Sequence, residues 1–151
     1  MTTVIIRFLS IIMAGLLAGI LLGISLGYNP KNLSVPTYIE QQQNAIKALN
    51  TLMPLLGLIT IILTLASAFL QKDNKTIFIT LLIATLTLVI TGLITRLGNQ
   101  PINSILMTWN KASVPSNWTE LRDKWWSLHL IRTVMTLIAF ILISWTAVRK
   151  N

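Results

Sequence analysis

The sequence predicts an all-α fold, a four-transmembrane-helix up-down-up-down bundle whose second and fourth helices extend beyond the membrane on one side. Three observations predict it. Of the 151 residues, 54% are hydrophobic and only 11% charged, where a soluble domain carries about 25% charged residues. Mean hydropathy is positive, at +0.72. Apolar runs long enough to cross a bilayer fall at about 4–27, 49–70, 76–97 and 126–148. The stretches between them are two longer outer loops, at about 28–48 and 98–125, and one short turn. Residues 1–151 read as a single membrane domain.

The first span has one cation, Arg7, before a core longer than that of a signal peptide, with no convincing cleavage motif after it. It reads as a retained helix. Gly15, Gly19, Gly23 and Gly27 recur every four residues, a spacing that puts them on one face where a neighbouring backbone can approach. Tyr28, Asn29 and Pro30 end this helix. Thr37 and Glu40 form a capping box just after Pro36, so the second helix is expected to start near Thr37 and to run to about Leu70. It would be about 50 Å long, more than the roughly 30 Å hydrocarbon core, with its polar first turns outside the membrane. Gln41, Gln42 and Gln43 read as a wetted face there. Pro54, inside it, is expected to kink it and to free a backbone carbonyl.

The turn Gln71–Lys75 leads into a third span rich in threonine (Thr80, Thr85, Thr87, Thr91, Thr95). Those hydroxyls can bond back to their own helix or join helices, so they do not argue for a pore. Arg96 at its far end reads as a snorkelling anchor. A short amphipathic helix is expected from about Ile102 to Lys111. The fourth helix begins with another capping box, Asn117 and Glu120, and the chain closes on Arg149 and Lys150.

The opening of the fourth helix carries the chemistry. At 100° per residue, Trp118, Arg122, Trp125, Trp126, His129, Arg132 and Thr136 fall within about one third of the circumference. Arg122 and Arg132 would stand about 15 Å apart along the axis. The bland reading of the tryptophans is an interfacial belt, and that of Arg132 is a snorkelling anchor. For His129 it is a neutral imidazole bonded to a backbone carbonyl or to a glutamine of the second helix. The functional reading makes His129, between two cations that favour its neutral form, a general base. Arg122 and Arg132 would then stabilise an anion.

Other chemistries fail on inventory. There is no cysteine, and one histidine with four acids is too few for a zinc or di-iron site, so no metal and no cofactor is assigned; single-histidine haem ligation by His129 stays open. A serine triad would need Ser113 or Ser127 beside His129, and neither is marked as activated. The net charge of +8 is dispersed rather than grooved, which excludes nucleic acid as partner. With no inverted repeat and four spans, a transporter is disfavoured. Arg7, Lys72, Lys75, Arg149 and Lys150 gather on one side, which places both termini in the cytoplasm of a plasma or inner membrane and the tryptophan stripe at the outer mouth.

The pattern Arg96-x-x-Asn99-x-Pro101-x-Asn103, followed by Trp118-x-x-x-Arg122-x-x-x-Trp126-x-x-His129-x-x-Arg132, resembles the anthrone oxygenase-like family of small membrane proteins, also catalogued as the domain of unknown function 1772. The resemblance covers nearly the whole chain. It implies a four-helix membrane bundle and, for some fungal members, oxidation of anthrones to anthraquinones by molecular oxygen without metal or flavin. Carried over by position, it points to Asn99, Asn103, Trp118, Arg122, Trp126, His129 and Arg132.

The expected activity is therefore a membrane-embedded, cofactor-independent oxygenase or oxidase acting on a lipophilic aromatic of anthrone, phenol or quinol type. In it His129, Arg132 and Arg122 would be catalytic, and Asn99, Asn103, Trp118, Trp125 and Trp126 would bind substrate. The alternative is a non-enzymatic membrane protein whose outer rim binds lipid, quinone, haem or a partner subunit. The partners implied are the bilayer, a lipophilic small molecule and, through the glycine face, an oligomer or partner membrane subunit.

Overall fold

The computed structural model describes residues 1–110 and 114–149. Within them every regular element is helical: α1 (Thr2–Gly27), a 3-10 turn (Pro30–Asn32), α2 (Val35–Leu49), α3 (Leu52–Leu70), α4 (Lys75–Ile94), a π-helical turn (Thr95–Asn99), α5 (Gln100–Leu106) and α6 (Trp118–Val148). Four helical stretches are long and apolar enough to cross a membrane: Thr2–Asn32, Leu52–Leu70, Lys75–Leu106 and Trp118–Val148. The chain is thus an all-helical protein with four candidate spans.

The four long helices form a ring in which α1 packs on α3 and α6, and α4 packs on α3 and α6. Small and branched apolar residues fill the centre, among them Ala14, Leu17, Leu21, Ala68, Leu81, Ala84, Leu88, Ala139 and Ile143. The outside is apolar too: Phe8, Leu58, Ile62, Leu86, Val134 and Ile141 are all exposed, a belt that water would not tolerate and lipid would. Most threonines of the core are accommodated because their hydroxyls donate to carbonyls of their own helix. Thr60, Thr64, Thr85, Thr91, Thr95 and Thr136 all bond back four residues. Arg7 donates to the carbonyls of Thr146 and Ala147 at 2.8 and 3.1 Å, a cation at the negative end of the α6 dipole.

At the other end a second, smaller core of Tyr38, Ile39, Ile46, Leu106 and Trp109 joins α2, α5 and the start of α6. Gln43 ties it, its amide donating to the carbonyls of Leu106 and Trp109 at 3.0 and 2.9 Å just past the end of α5.

The structure corrects several expectations. The long second helix is two helices. Pro54 has no N–H for the carbonyl four residues back, that of Asn50, and the helix breaks at Asn50–Thr51; the Gln100 amide reaches that freed carbonyl at 3.5 Å. The cap of α2 is Ser34, three residues before Thr37, with the two hydroxyls 2.8 Å apart. Asn117 does precede α6, but its side chain makes no capping bond. The Gln41–Gln43 run is not a wetted face, since Gln42 is buried and Gln43 is bonded as described. The helix expected over Ile102–Lys111 is instead the continuation of α4 through a π-turn and ends at Leu106; Lys111 and Ser113, like Lys150, lie outside the described residues. The glycine face is largely unpacked: Phe140 lies 3.3 Å from where a Gly15 Cβ would be, whereas Gly19, Gly23 and Gly27 meet nothing within 4 Å.

Candidate functional site

Helix α6 brings the predicted stripe inward. Trp125, Trp126, His129, Arg132 and Thr136 are all buried, His129 completely. The two central tryptophans are therefore core residues and not an interfacial belt. Trp125 lies parallel to the His129 ring, with centroids 5.2 Å apart and planes 3° apart, and Trp126 stacks at 5.5 Å and 22°.

Both imidazole nitrogens are engaged. Arg132 donates to Nδ1, from Nη2 at 3.0 Å and from Nε at 3.3 Å. A guanidinium can only donate, so Nδ1 bears the lone pair and Nε2 bears the hydrogen. Nε2–H donates to Ser25 Oγ at 3.0 Å, and Ser25 in turn donates to the Leu21 carbonyl of α1 at 3.0 Å. Thr133, one turn on, donates to the His129 carbonyl and lies 3.2 Å from the Ser25 hydroxyl. The tautomer is thus set by Arg132, and Ser25 on α1 anchors the other ring nitrogen. A haem iron at His129 would have to displace one of these partners.

Arg132 is 9% exposed. Its third nitrogen, Nη1, is 3.4 Å from Thr95 Oγ1, and it sits 6.0 Å from the Trp125 ring centroid. Among the described residues the ion pairs join Asp123 to Lys31 and to Arg122, and no carboxylate stands beside Arg132. A buried cation with only neutral partners is costly, and this one borders a cavity.

The cavity has a volume of about 300 Å³. Its apolar wall is Leu21, Ile24, Ala45, Ile46, Leu49, Met53 and Pro54, and its polar groups are Tyr28, Gln41, Gln42, Asn50, Thr95, Gln100, Asn103 and Arg132, with Trp125 alongside. The break at Asn50 and the π-turn position this polar set. Trp125 Nε1 donates to Asn103 Oδ1 at 2.8 Å, and Asn103 Nδ2 donates to Asn50 Oδ1 at 3.0 Å, a chain that links α6, α5 and the α2–α3 break. Tyr28 donates to Gln42 at 2.8 Å and meets Trp125 edge-on. A second cavity of about 250 Å³ adjoins it between α3 and α4, and Arg132, Thr95, Gln100, Met53, Pro54 and Leu21 wall both.

The predicted residues thus separate. Arg132, Trp125 and Asn103 wall the cavity; His129 and Trp126 stand directly behind them. Asn99 is buried in the π-turn, donating to the Trp125 carbonyl at 3.0 Å, with its Oδ1 unpartnered. Trp118 and Arg122 lie in the outer core: Arg122 is over the Trp118 ring at 4.9 Å and bonded to Asp123 at 2.8 Å, and Trp118 packs on Tyr38. Burial there pushes the Tyr38 phenol above its ordinary range. The structure does not bring Arg122 to His129. Arg96 is exposed and bonded to Gln100 at 3.0 Å. Ser25, Tyr28, Gln42, Asn50 and Gln100 were not foreseen, because each is a common polar residue on a segment whose partner is distant in sequence. Among the described residues, no three His, Cys, Asp or Glu side chains gather at one place.

A family model described as anthrone oxygenase matches residues 43–142. The chain belongs to the anthrone oxygenase family. No match to a curated protein or to a solved structure accompanies it. The family match takes in Asn50, Thr95, Asn103, Trp125, His129 and Arg132, whereas the walls from α1 and from Gln42 precede it.

Proposed function

We propose that this chain is a membrane-embedded oxygenase acting on a lipophilic aromatic of anthrone, phenol or quinol type in the Arg132 cavity. One observation carries the reading: a buried guanidinium, with no carboxylate beside it among the described residues, faces a cavity lined otherwise by neutral groups. Fixed positive charge favours an enolate or phenolate over its neutral parent. Trp125 and Tyr28 offer flat walls to the rings, and Asn103, Gln42 and Gln100 offer hydrogen bonds at the rim. As Arg132 turns from His129 to the substrate oxygen, it frees the Nδ1 lone pair, and His129 takes the proton. The electron-rich carbon then reacts with oxygen; conversion of a methylene to a carbonyl with release of water consumes one O₂ and balances without an external reductant. Arg122 and Trp118 hold α2 against α6 in this reading.

The saturated hydrogen bonding of His129 favours a second reading, in which the cavity binds an anionic lipophile without turning it over. Oxygen uptake by the purified protein with an anthrone separates the two, measured against His129→Ala and a protein-free control for autoxidation. Uptake by the native chain alone supports the oxygenase; equal rates in all three leave only binding.

For placement, the up-down-up-down order with cytoplasmic termini is supported by Lys72 in the α3–α4 turn, by Lys75 at the start of α4 and by Arg7 and Arg149 at the same end. A cysteine introduced at Asp73 should then resist an impermeant thiol reagent in intact cells, and one at Gln41 should react.

A further inference from the structure

We propose that the two cavities form one bipartite site, so that the substrate is an amphiphile: an aromatic head with an ionisable oxygen against Arg132, and an apolar substituent lying between α3 and α4. The inference rests on the reading that Arg132 receives the substrate oxygen.

The two chambers differ in chemistry. Around the first stand Tyr28, Gln42, Asn50 and Asn103. Beyond the shared wall, the second is lined by Gly57, Leu58, Ile61, Leu88 and Gly92, with the Thr91 hydroxyl spent on its own helix; Arg96 also lines it, but it is exposed and its guanidinium is bonded to Gln100. Arg132 stands where they meet. A ring bound by its oxygen to Arg132 has the polar set on one side and this apolar space on the other. Two glycines on facing helices keep the space open, since a Cβ added at Gly57 or Gly92 meets nothing within 4 Å. Leu58, at the edge of the chamber, is 54% exposed on the apolar outer belt, so an apolar chain lying there continues into lipid. A compact, unsubstituted polar ligand would leave this volume unfilled beside a buried charge; a tailed ring fills it with matching chemistry.

The test uses a phenol whose para-alkyl chain ends in a diazirine, photolysed with the native chain in detergent and mapped by mass spectrometry. Labels are expected on Leu58, Ile61, Leu88 or Thr91. Gly57→Leu and Gly92→Leu, which place a side chain in open space, should each cut labelling about tenfold, as should Arg132→Gln. Gly19→Leu, on the outer face of α1 away from both chambers, should label as the native chain does. Labels spread over Ile62, Leu86 and Val134 would overturn the proposal. So would native-level labelling in both glycine variants, or the same pattern from an alkyl diazirine lacking the phenol. Oxygen uptake with an anthrone is measured in parallel: correct labels without uptake leave the bipartite site standing and remove the oxygenase reading.

Discussion

Replacing Arg132 by Gln removes the fixed charge while keeping an amide donor of similar reach. Arg132 is 9% exposed and backed by His129, Thr95 and Trp125, so an effective dielectric of about 20 is appropriate, and an oxyanion about 4 Å away gains about 4 kcal/mol. Full loss of that interaction corresponds to about 10³-fold in rate. The glutamine recovers part of it, so kcat/KM for anthrone oxidation should fall about 10²-fold, in the range found when one oxyanion donor is removed. Stability should move little. The variant gives up bonds to His129 but also the burial of a cation without a carboxylate partner among the described residues, and these effects oppose. The assay is oxygen uptake per folded protein, beside thermal unfolding in the same detergent. Arg132→Lys, which restores charge without the planar fork, should fall between the two. Native-level uptake in Arg132→Gln would refute the idea that an oxygen anion forms there.

Four other outcomes follow from the packing. Ser25→Ala removes the acceptor of His129 Nε2–H, and unfolding should be easier by about 1–2 kcal/mol, with slower turnover because the ring is no longer anchored to α1. Asn103→Leu leaves the Trp125 indole N–H without its 2.8 Å partner and should cost about 1–2 kcal/mol, read by thermal unfolding and a shifted tryptophan emission. Gly98→Leu forces a side chain where a Cβ alone would lie 2.7 Å from Leu128 Cδ1; about 1–3 kcal/mol of destabilisation is expected, whereas Gly19→Ala, which meets nothing, should gain about 0.5 kcal/mol from helix propensity. Pro54→Ala returns an N–H to the Asn50 carbonyl and should raise the unfolding temperature while slowing turnover, since Asn50 and Gln100 lose their arrangement at the rim.

What could be read from the sequence depended on where the information lay. The inward stripe of α6 was legible because periodicity is a property of one segment, and Trp125, His129 and Arg132 recur at helical spacing. The spans were legible for the same reason. The role of Ser25 was not, since its partner His129 is 104 residues away and a lone serine in an apolar helix usually bonds to its own backbone. The glycine spacing of α1 predicts a packing face, but spacing gives only that residues share a face; burial of Ala14, Leu17, Ala18 and Leu21 shows that α1 turns a different side inward. Pro54 signalled a disturbance, yet how far it went depended on Gln100 and Asn103 arriving from α5 to serve Asn50.

The π-turn at Thr95–Asn99 has a consequence for how this chain tolerates insertion and deletion. A π-turn is an α-helix with one surplus residue, and one residue is about 100° of helical phase. Deleting a residue there would leave a more regular backbone, one that a measure of helix content would score as improved. It would also carry Gln100 and Asn103 about a quarter turn around the axis, parting the Trp125–Asn103–Asn50 chain and removing two polar groups from the cavity. The surplus residue therefore acts as a phase setting, and its removal should yield a folded protein with an emptied rim.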